Sequence, residues 1–314
     1  MSRWRLLADI GGTNARFARS TRTEEISQPR SYDVARFADF EAALDAYLGE
    51  TGGSAGCGEA AIAAAGPVVG RQVQLTNAAW RLSEAEISQR LGDVPVGLLN
   101  DLEAVALALP HLEAADVKSI GEVRAVPAQK GRLLAVNVGT GFGAAVAMPL
   151  ADGWTSSPSE AGHMSFGAQD EEELALLAGG EGTWSTVEDV LSGPGLLALY
   201  RRQCARLGSK PAAADASEVL TRANTEAAAR ETLALFSRWL GRAARDLALA
   251  SAAWGGVFLT GGVIQGWYRL DHAGLFRASF EAGGKMQARL KETPTAAITR
   301  ADVSFLGLAR SPVG

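Results

Sequence analysis

The 314-residue sequence contains little cysteine and no long hydrophobic run. Its two cysteines, Cys57 and Cys204, are too few for a disulfide framework or a cysteine-rich zinc site, and they indicate a reducing compartment. No uninterrupted apolar segment approaches the roughly 20 residues that a membrane helix needs. The N-terminal apolar run is interrupted by Asp9 and is too short for a signal peptide. We therefore expect a cytoplasmic protein with no membrane partner.

The sequence also lacks a cluster of basic residues. Its 30 Lys and Arg residues oppose 35 Asp and Glu residues, which gives a formal net charge of −5 at pH 7. Binding to a nucleic-acid backbone needs a basic patch, so we expect no nucleic-acid partner. Hydrophobic residues make up 47% and charged residues 21%, as in soluble globular proteins. The length suits two domains or one large one.

What the sequence does contain is a strand–turn–strand pattern that occurs twice. The stretch 6–18 (LLADIGGTNARFA) has an apolar run that ends near Asp9, a turn, and a second run that favours a strand over a helix. The stretch 134–146 (LAVNVGTGFGAAV) repeats this plan, with Asn137 in the position of Asp9. The first turn consists of Gly11, Gly12, Thr13 and Asn14, and the second of Gly139, Thr140 and Gly141.

Both turns have the composition of phosphate-binding loops. Glycine lets backbone N–H groups approach phosphate oxygens without a Cβ in the way, and threonine adds a hydroxyl donor. The repeat therefore predicts two loops that face one phosphate chain. A pair of ordinary tight hairpins is the alternative interpretation.

Strands and helices alternate in the rest of the chain, which predicts an α/β fold with largely parallel pairing. Apolar runs predict strands over 60–65, 96–99 and 255–262, and the spacing of apolar residues predicts helices over 37–48, 102–109 and 226–254. Residues 25–33 are interpreted as a polar connection that leads to another strand, and Ser83 with Glu86 has the spacing of a capping box. Ligands of such sheets gather at the carboxyl ends of strands, where Asp9, Asn100, Asp101 and Asn137 are expected.

Seven segments give a more specific indication. In chain order they are 9–16 (DIGGTNAR), 76–80 (TNAAW), 99–101 (LND), 139–143 (GTGFG), 159–163 (SEAGH), 188–195 (EDVLSGPG) and 261–262 (GG). In order and spacing they resemble the bacterial glucokinase family, in the sugar-kinase branch of the actin-like ATPase fold. The resemblance extends from residue 6 to about residue 310.

The resemblance implies an α/β, two-domain actin-like ATPase (ribonuclease H-like) fold with mixed sheets and a cleft between the domains. It implies a small domain of residues 1–110 plus 301–314, a large domain of residues 111–300, and a homodimer. The implied activity is that of a glucokinase, which phosphorylates glucose at its 6-hydroxyl with ATP and magnesium.

The resemblance also implies roles for individual residues. Asp101 is expected to be the general base, and Asp9 to face Mg²⁺ through water. The expected sugar ligands are Asn77, Asn100, Asp101, Glu160, His163 and Glu188. The expected nucleotide-binding residues are Asp9, Gly11, Gly12, Thr13, Asn14, Gly139, Thr140, Gly141, Gly261 and Gly262. No zinc is expected, because related sugar kinases pair a histidine like His163 with a cysteine-rich loop that this sequence lacks.

The chemistry of phosphoryl transfer to an alcohol is consistent with these roles. Such a transfer depends on positioning and charge neutralisation, with a carboxylate that orients the hydroxyl group and takes its proton. Asp101 could instead cap the helix that follows it, although Asn100 could do so in its place.

Three other functions are compatible with parts of the sequence. A dehydrogenase would share the glycine content, but Gly139–Gly143 does not match G-x-G-x-x-G and strand residues follow it. A kinase for another hexose, such as fructose or N-acetylmannosamine, would share most of the motifs. A sugar-binding repressor relative would bind the sugar without producing ADP.

Overall fold

The computed structural model describes residues 3–21, 25–76, 78–124, 131–179 and 184–313 as a mixed α/β protein. Asn77, one of the predicted sugar ligands, lies outside these residues. The strands are β1 (Trp4–Ile10), β2 (Asn14–Ser20), β3 (Ile26–Asp33), β4 (Cys57–Ala64), β5 (Val68–Val69), β6 (Gln72–Gln74), β7 (Arg81–Ser83), β8 (Val96–Asn100), β9 (Val117–Ser119), β10 (Leu133–Val138), β11 (Phe142–Leu150), β12 (Gly153–Ser159), β13 (Gly256–Thr260) and β14 (Thr295–Ile298).

The α-helices lie between and after these strands along the chain. They are α1 (Phe40–Thr51), α2 (Glu84–Leu91), α3 (Asp101–Ala108), α4 (Glu171–Ala178), α5 (Val187–Val190), α6 (Gly193–Arg206), α7 (Ala216–Arg222), α8 (Ala227–Ser251), α9 (Gly262–Trp267), α10 (Ala273–Glu281), α11 (Gln287–Glu292) and α12 (Val303–Leu308). Within the described ranges, no helix combines the length and the apolar composition that crossing a bilayer requires.

The chain forms two compact units. The first unit comprises Met1–His111, Leu150–Pro158 and Ala301–Gly314, and the second comprises Leu112–Pro149 and Ser159–Arg300.

The first unit is built on a sheet with the strand order β3-β2-β1-β4-β8. β1 pairs antiparallel with β2, whereas β1 with β4 and β4 with β8 are parallel. In this register Asp9 pairs with Ala63, and Ala63 pairs with Leu99. The carboxyl ends of β1, β4 and β8 therefore lie at the same edge of the sheet.

The C-terminal helix α12 packs closely on this unit. A Cβ added at Gly307 would lie 1.8 Å from the carbonyl oxygen of Ala104 in α3, so only glycine permits this approach of the two backbones. The contact brings Ser304, at the start of α12, to the carboxyl end of β1.

A second sheet, with the order β12-β11-β10-β13-β14-β9, contains the repeat of the first hairpin. β10 pairs antiparallel with β11 and parallel with β13, as β1 does with β2 and β4. The long helix α8 buries its apolar residues, Trp239 among them, in the core of the second unit, where they join Trp267 and Phe276.

Most of the predicted elements are present, with two corrections. The expected strands correspond to β4, β8 and β13, and the expected helices to α1, α3 and α8. The segment 25–33 is not a polar connection: it forms β3, an edge strand whose polar side chains are mostly exposed. The expected capping box at Ser83 is wrong, because Ser83 precedes α2 without a side-chain capping bond and Glu86 pairs with Arg81 instead.

Candidate active site

The first glycine turn connects β1 and β2, as the sequence predicted. The turn is closed by a hydrogen bond of 2.9 Å from the Gly11 N–H to the Asn14 carbonyl. The Thr13 carbonyl accepts a bond of 2.9 Å from the N–H of Val34, which fixes the outer side of the turn. A strand and not a helix follows the turn, so the geometry differs from that of a dinucleotide-binding loop.

Asp9 lies at the end of β1 and is 7% exposed. Its Oδ2 accepts a hydrogen bond of 2.6 Å from the hydroxyl of Ser304, and the same oxygen pairs with the guanidinium of Arg16 in β2. Arg16 belongs to the motif 9–16, but no role was predicted for it, and nothing in the sequence indicated Ser304. The two residues Asp9 and Ser304 are 295 positions apart, which no local spacing could reveal.

Asn100 caps α3. Its Oδ1 accepts a bond of 3.0 Å from the Leu102 N–H, and its own N–H donates to Glu103 Oε2 at 3.1 Å. Its side-chain amide also donates to the Gly66 carbonyl at 3.3 Å. Asn100 and Glu103 thus form a capping box. The N-x-x-E spacing of this box is visible in the sequence, but the box was not predicted.

Asp101 is the first residue of α3, and the cap itself is provided by Asn100. Its Oδ1 accepts a bond of 2.8 Å from the Leu102 N–H. Burial and, after it, the negative charge of Asp9 raise the pKa of Asp101 to about 6. Asp9 lies near the end of β1 and Asp101 directly follows β8, and only β4 separates these strands, so the two backbones are on the order of 10 Å apart. A carboxyl group with a raised pKa beside a second carboxylate is typical of a functional site.

The second glycine turn connects β10 and β11 in the second unit. The Gly139 N–H donates to the Gly141 carbonyl at 2.9 Å, and the Gly139 carbonyl accepts from the N–H of Gly193 at 2.7 Å. The start of α6 is therefore joined to the turn.

Gly261 and Gly262 follow β13 and lie against the same turn. Gly261 has φ +103°, and a Cβ there would lie 2.3 Å from the Val138 carbonyl oxygen and 2.6 Å from Asn137 Oδ1. Both the backbone conformation and the space available require glycine at this position. The structure thus brings Gly139 and the glycine pair into one region of the second unit.

Glu188 lies in α5, and its side chain contacts the second turn. Its Oε2 accepts a hydrogen bond of 2.8 Å from the N–H of Phe142. A Cβ at Gly141 would lie 2.5 Å from the same oxygen, so only a glycine at this position leaves room for the Glu188 carboxylate.

Glu160 precedes the short 3₁₀ helix Ala161–His163, and His163 is its last residue. Both side chains are exposed, and His163 Nε2 lies 4.0 Å from Glu160 Oε2. The segment after His163 is joined to the start of α5 by a bond of 2.9 Å from the N–H of Val187, the first residue of that helix, to the Met164 carbonyl. The second unit therefore holds Glu160, His163 and Glu188 on neighbouring segments.

The fit of magnesium to this region can be judged from the donors present. Among the described residues, no three potential metal-ligating side chains gather in one place. Mg²⁺ does not require such a cage, because it keeps several waters and binds through one or two carboxylates together with substrate phosphates. In the part of the chain that the structure describes, Arg16 and Ser304 both donate to Oδ2 of the Asp9 carboxylate. This donor set fits a magnesium ion held through water.

Comparisons with known proteins agree with the motifs. A family model described as Glucokinase matches residues 6–312. The glucokinase of Chromobacterium violaceum is 36% identical over 309 residues, which span 97% of this chain and 88% of that protein. A bifunctional protein of Paraburkholderia xenovorans is 37% identical over 97% of this chain, which spans only 48% of that longer protein.

A solved structure shows the same fold. The crystal structure of a glucokinase from an Antarctic psychrotroph superposes with a TM-score of 0.84 at 32% identity. The superposition covers 99% of this chain and 98% of the other.

Proposed function

Since the chain belongs to the glucokinase family and is a hexose kinase, we propose that it transfers the terminal phosphoryl group of ATP to the 6-hydroxyl of glucose. The main support from the structure is the environment of Asp101, whose pKa is raised to about 6 at the carboxyl edge of the sheet. This pKa leaves the carboxylate ionised at neutral pH while keeping its basicity close to the operating pH, as a general base requires.

In this proposal Asp101 orients the sugar hydroxyl and accepts its proton. Its Oδ1 is held by the N–H of Leu102, which fixes the direction of the carboxylate. Phosphoryl transfer needs little covalent assistance, so most of the rate comes from the alignment of the alcohol with the phosphorus atom and from charge neutralisation.

We assign the recognition of the other hydroxyls to two carboxylates, an imidazole and two amides. These belong to Glu160, Glu188, His163, Asn77 and Asn100. A hydrogen bond to a charged group contributes roughly 1.5–3 kcal/mol, so the charged members of this set can determine both affinity and the choice of epimer.

The nucleotide is assigned to the two turns and the glycine pair. The proposed residues are Asp9, Gly11, Gly12, Thr13, Asn14, Gly139, Thr140, Gly141, Gly261 and Gly262. Magnesium held through water by Asp9 would neutralise phosphate charge when it is bound. The paired bonds from Ser304 and Arg16 keep the Asp9 carboxylate in one orientation.

The fold, the domain limits, the oligomeric state and the localisation are also proposed from the family resemblance. We propose a two-domain actin-like ATPase fold with domain limits at 1–110 plus 301–314 and at 111–300. We further propose a cytoplasmic homodimer that acts in glycolysis and binds no nucleic acid.

An assay of ADP release over a panel of hexoses tests the proposal. The highest kcat/KM is expected for glucose, and fructose and N-acetylmannosamine are included as competing substrates. A higher kcat/KM for either of these would replace glucose in the proposal. Binding of sugar without any ADP release would favour the repressor relative.

A further inference from the structure

A buried ion pair lies in the second unit, outside the residues assigned above. Glu173 in α4 and Arg242 in α8 are 7% and 6% exposed, and Arg242 Nη1 donates to Glu173 Oε2 at 2.9 Å.

Within the described ranges, both side chains of this pair also bind other groups of the second unit. Glu173 Oε1 accepts a bond of 2.8 Å from the indole N–H of Trp239, and Oε2 accepts a second bond of 2.9 Å from the N–H of Gln169. Arg242 Nη2 donates to the Gly167 carbonyl at 3.1 Å. The guanidinium also lies 4.4 Å from the ring centroid of Phe166.

The pair therefore holds one short segment at three places, namely the Phe166 ring, the Gly167 carbonyl and the Gln169 N–H. This segment begins three residues after His163. The Phe166 N–H donates to the Ser185 carbonyl at 2.8 Å, so the same segment also supports the residues that lead into α5.

The ion pair is better suited to fixing the position of this segment than to stabilising the fold. A buried ion pair gains little net stability over apolar residues of similar volume, because desolvation offsets the attraction. A cavity of about 140 Å³ lies between the segment and α8, and its lining includes Met164, Phe166, Arg242 and Leu247. Packing alone therefore leaves the segment incompletely supported, and the directed bonds of Arg242 determine where it lies.

We propose that Arg242 and Glu173 are positioning residues for glucose, which hold the segment after His163 so that Glu160 and His163 present their side chains to the sugar. The proposal rests on the function proposed above. Neither residue touches the substrate. Arginine is required because its planar fork binds Glu173 and Gly167 simultaneously, whereas the single ammonium group of lysine cannot reproduce both bonds and the contact with the ring.

The main test is the variant Arg242→Lys, with glucose affinity measured by calorimetry and kcat and both KM values measured by ADP release. We expect the Kd and KM for glucose to rise about tenfold. This is the change that follows when one charge-assisted hydrogen bond between the sugar and Glu160 or His163 is lost. The KM for ATP is expected to stay within twofold of wild type and kcat within threefold.

A double variant separates position from stability. Arg242→Met alone leaves Glu173 buried without a counter-charge and is expected to lower the melting temperature. Adding Glu173→Gln removes that charge and is expected to restore the melting temperature while glucose affinity remains low. A double variant that regains wild-type glucose affinity would overturn the proposal.

Arg277→Lys is the matched control. Arg277 is also buried in the second unit and donates to the carbonyls of Leu290, Lys291 and Thr293, which belong to a different segment. The variant Arg277→Lys is expected to be less stable than wild type and to bind glucose with unchanged affinity. Equal losses of glucose affinity in Arg242→Lys and Arg277→Lys, or a glucose Kd of Arg242→Lys within twofold of wild type, would overturn the proposal.

The binding data also distinguish this proposal from the function it rests on. A wild-type protein that binds glucose but releases no ADP would refute the proposed reaction, and the glucose Kd values would still decide the role of Arg242. A wild-type protein that binds no glucose would overturn both.

Discussion

At the scale of single residues, the environment of Asp101 determines the pH at which the proposed base becomes available. Its pKa is raised to about 6, first by burial and then by the charge of Asp9. We expect kcat/KM for glucose, measured with saturating ATP at every pH, to fall about tenfold per pH unit below this value and to level off above it. Asp101→Asn should lower kcat by about 10²- to 10⁴-fold at pH 7.5. A flat profile down to pH 5, or near-normal turnover of the variant, would remove Asp101 from the mechanism.

The same raised pKa predicts a cost in stability. Because the folded pKa of Asp101 exceeds the unfolded value of about 3.9, the free energy of unfolding should fall as pH rises from about 4 to 6. A pKa that rises from about 3.9 to about 6 on folding corresponds to at most about 3 kcal/mol of unfolding free energy. Asp101→Asn removes this loss, so the variant should be more stable than wild type at pH 8 and similar to it at pH 4. Urea unfolding of the ligand-free and metal-free protein at both pH values measures the difference.

Asp152→Asn is the control for that experiment, because Asp152 lies exposed between β11 and β12. Its substitution should change stability by less than about 0.5 kcal/mol at either pH. If the two substitutions change the free energy of unfolding equally at pH 8, the raised pKa of Asp101 does not lower the stability of the protein.

At the scale of secondary structure, the two glycine turns were predictable because their signal is local. An apolar run, a glycine-rich turn and a second apolar run specify a hairpin within 13 residues. β3 was missed because an edge strand with exposed polar side chains lacks the apolar pattern that identifies a strand. The capping box of Asn100 was available from spacing alone, whereas the one expected at Ser83 failed because Glu86 pairs with a residue of β7.

Gly11→Ala tests whether the first turn binds phosphate. A Cβ at Gly11 would meet only the Asn14 carbonyl oxygen, at an ordinary contact distance of 3.6 Å, so the turn itself accommodates alanine. We expect stability within about 0.5 kcal/mol of wild type. The KM for ATP should rise about tenfold or more, because a methyl group would displace a phosphate oxygen from the backbone N–H groups. The KM for glucose should change less than twofold.

Gly49→Ala is the matched substitution in the same unit. Gly49 lies within α1, where an added Cβ meets no atom within 4 Å. Alanine should stabilise the helix by up to about 1 kcal/mol and leave both KM values unchanged. An unchanged KM for ATP in Gly11→Ala would mean that the first turn is an ordinary hairpin.

At the scale of the whole molecule, the contacts that sequence reasoning missed are those between distant parts of the chain. Asp9 and Ser304 are separated by 295 positions, and Glu173 and Arg242 by 69. Periodicity and spacing report only on neighbours, so such pairs appear only once the chain has folded. The candidate sugar ligands were found from the family resemblance, because a single exposed glutamate such as Glu160 has no distinguishing local pattern.

Binding of glucose should stabilise the protein against heat, because a ligand that binds only the folded state lowers its free energy by mass action. Glucose at 100 times its Kd should contribute about 2.7 kcal/mol. With an unfolding entropy of about 2.1 cal/mol/K per residue, a cooperative transition of all 314 residues should shift upward by about 4 °C. Galactose at the same concentration should shift it far less, because an inverted hydroxyl leaves a buried polar group unpaired. In Glu160→Gln the glucose shift should fall while the melting temperature without sugar stays the same, since the Glu160 side chain is exposed. Equal shifts by glucose and galactose, or an undiminished shift in the variant, would show that the sugar binds away from Glu160.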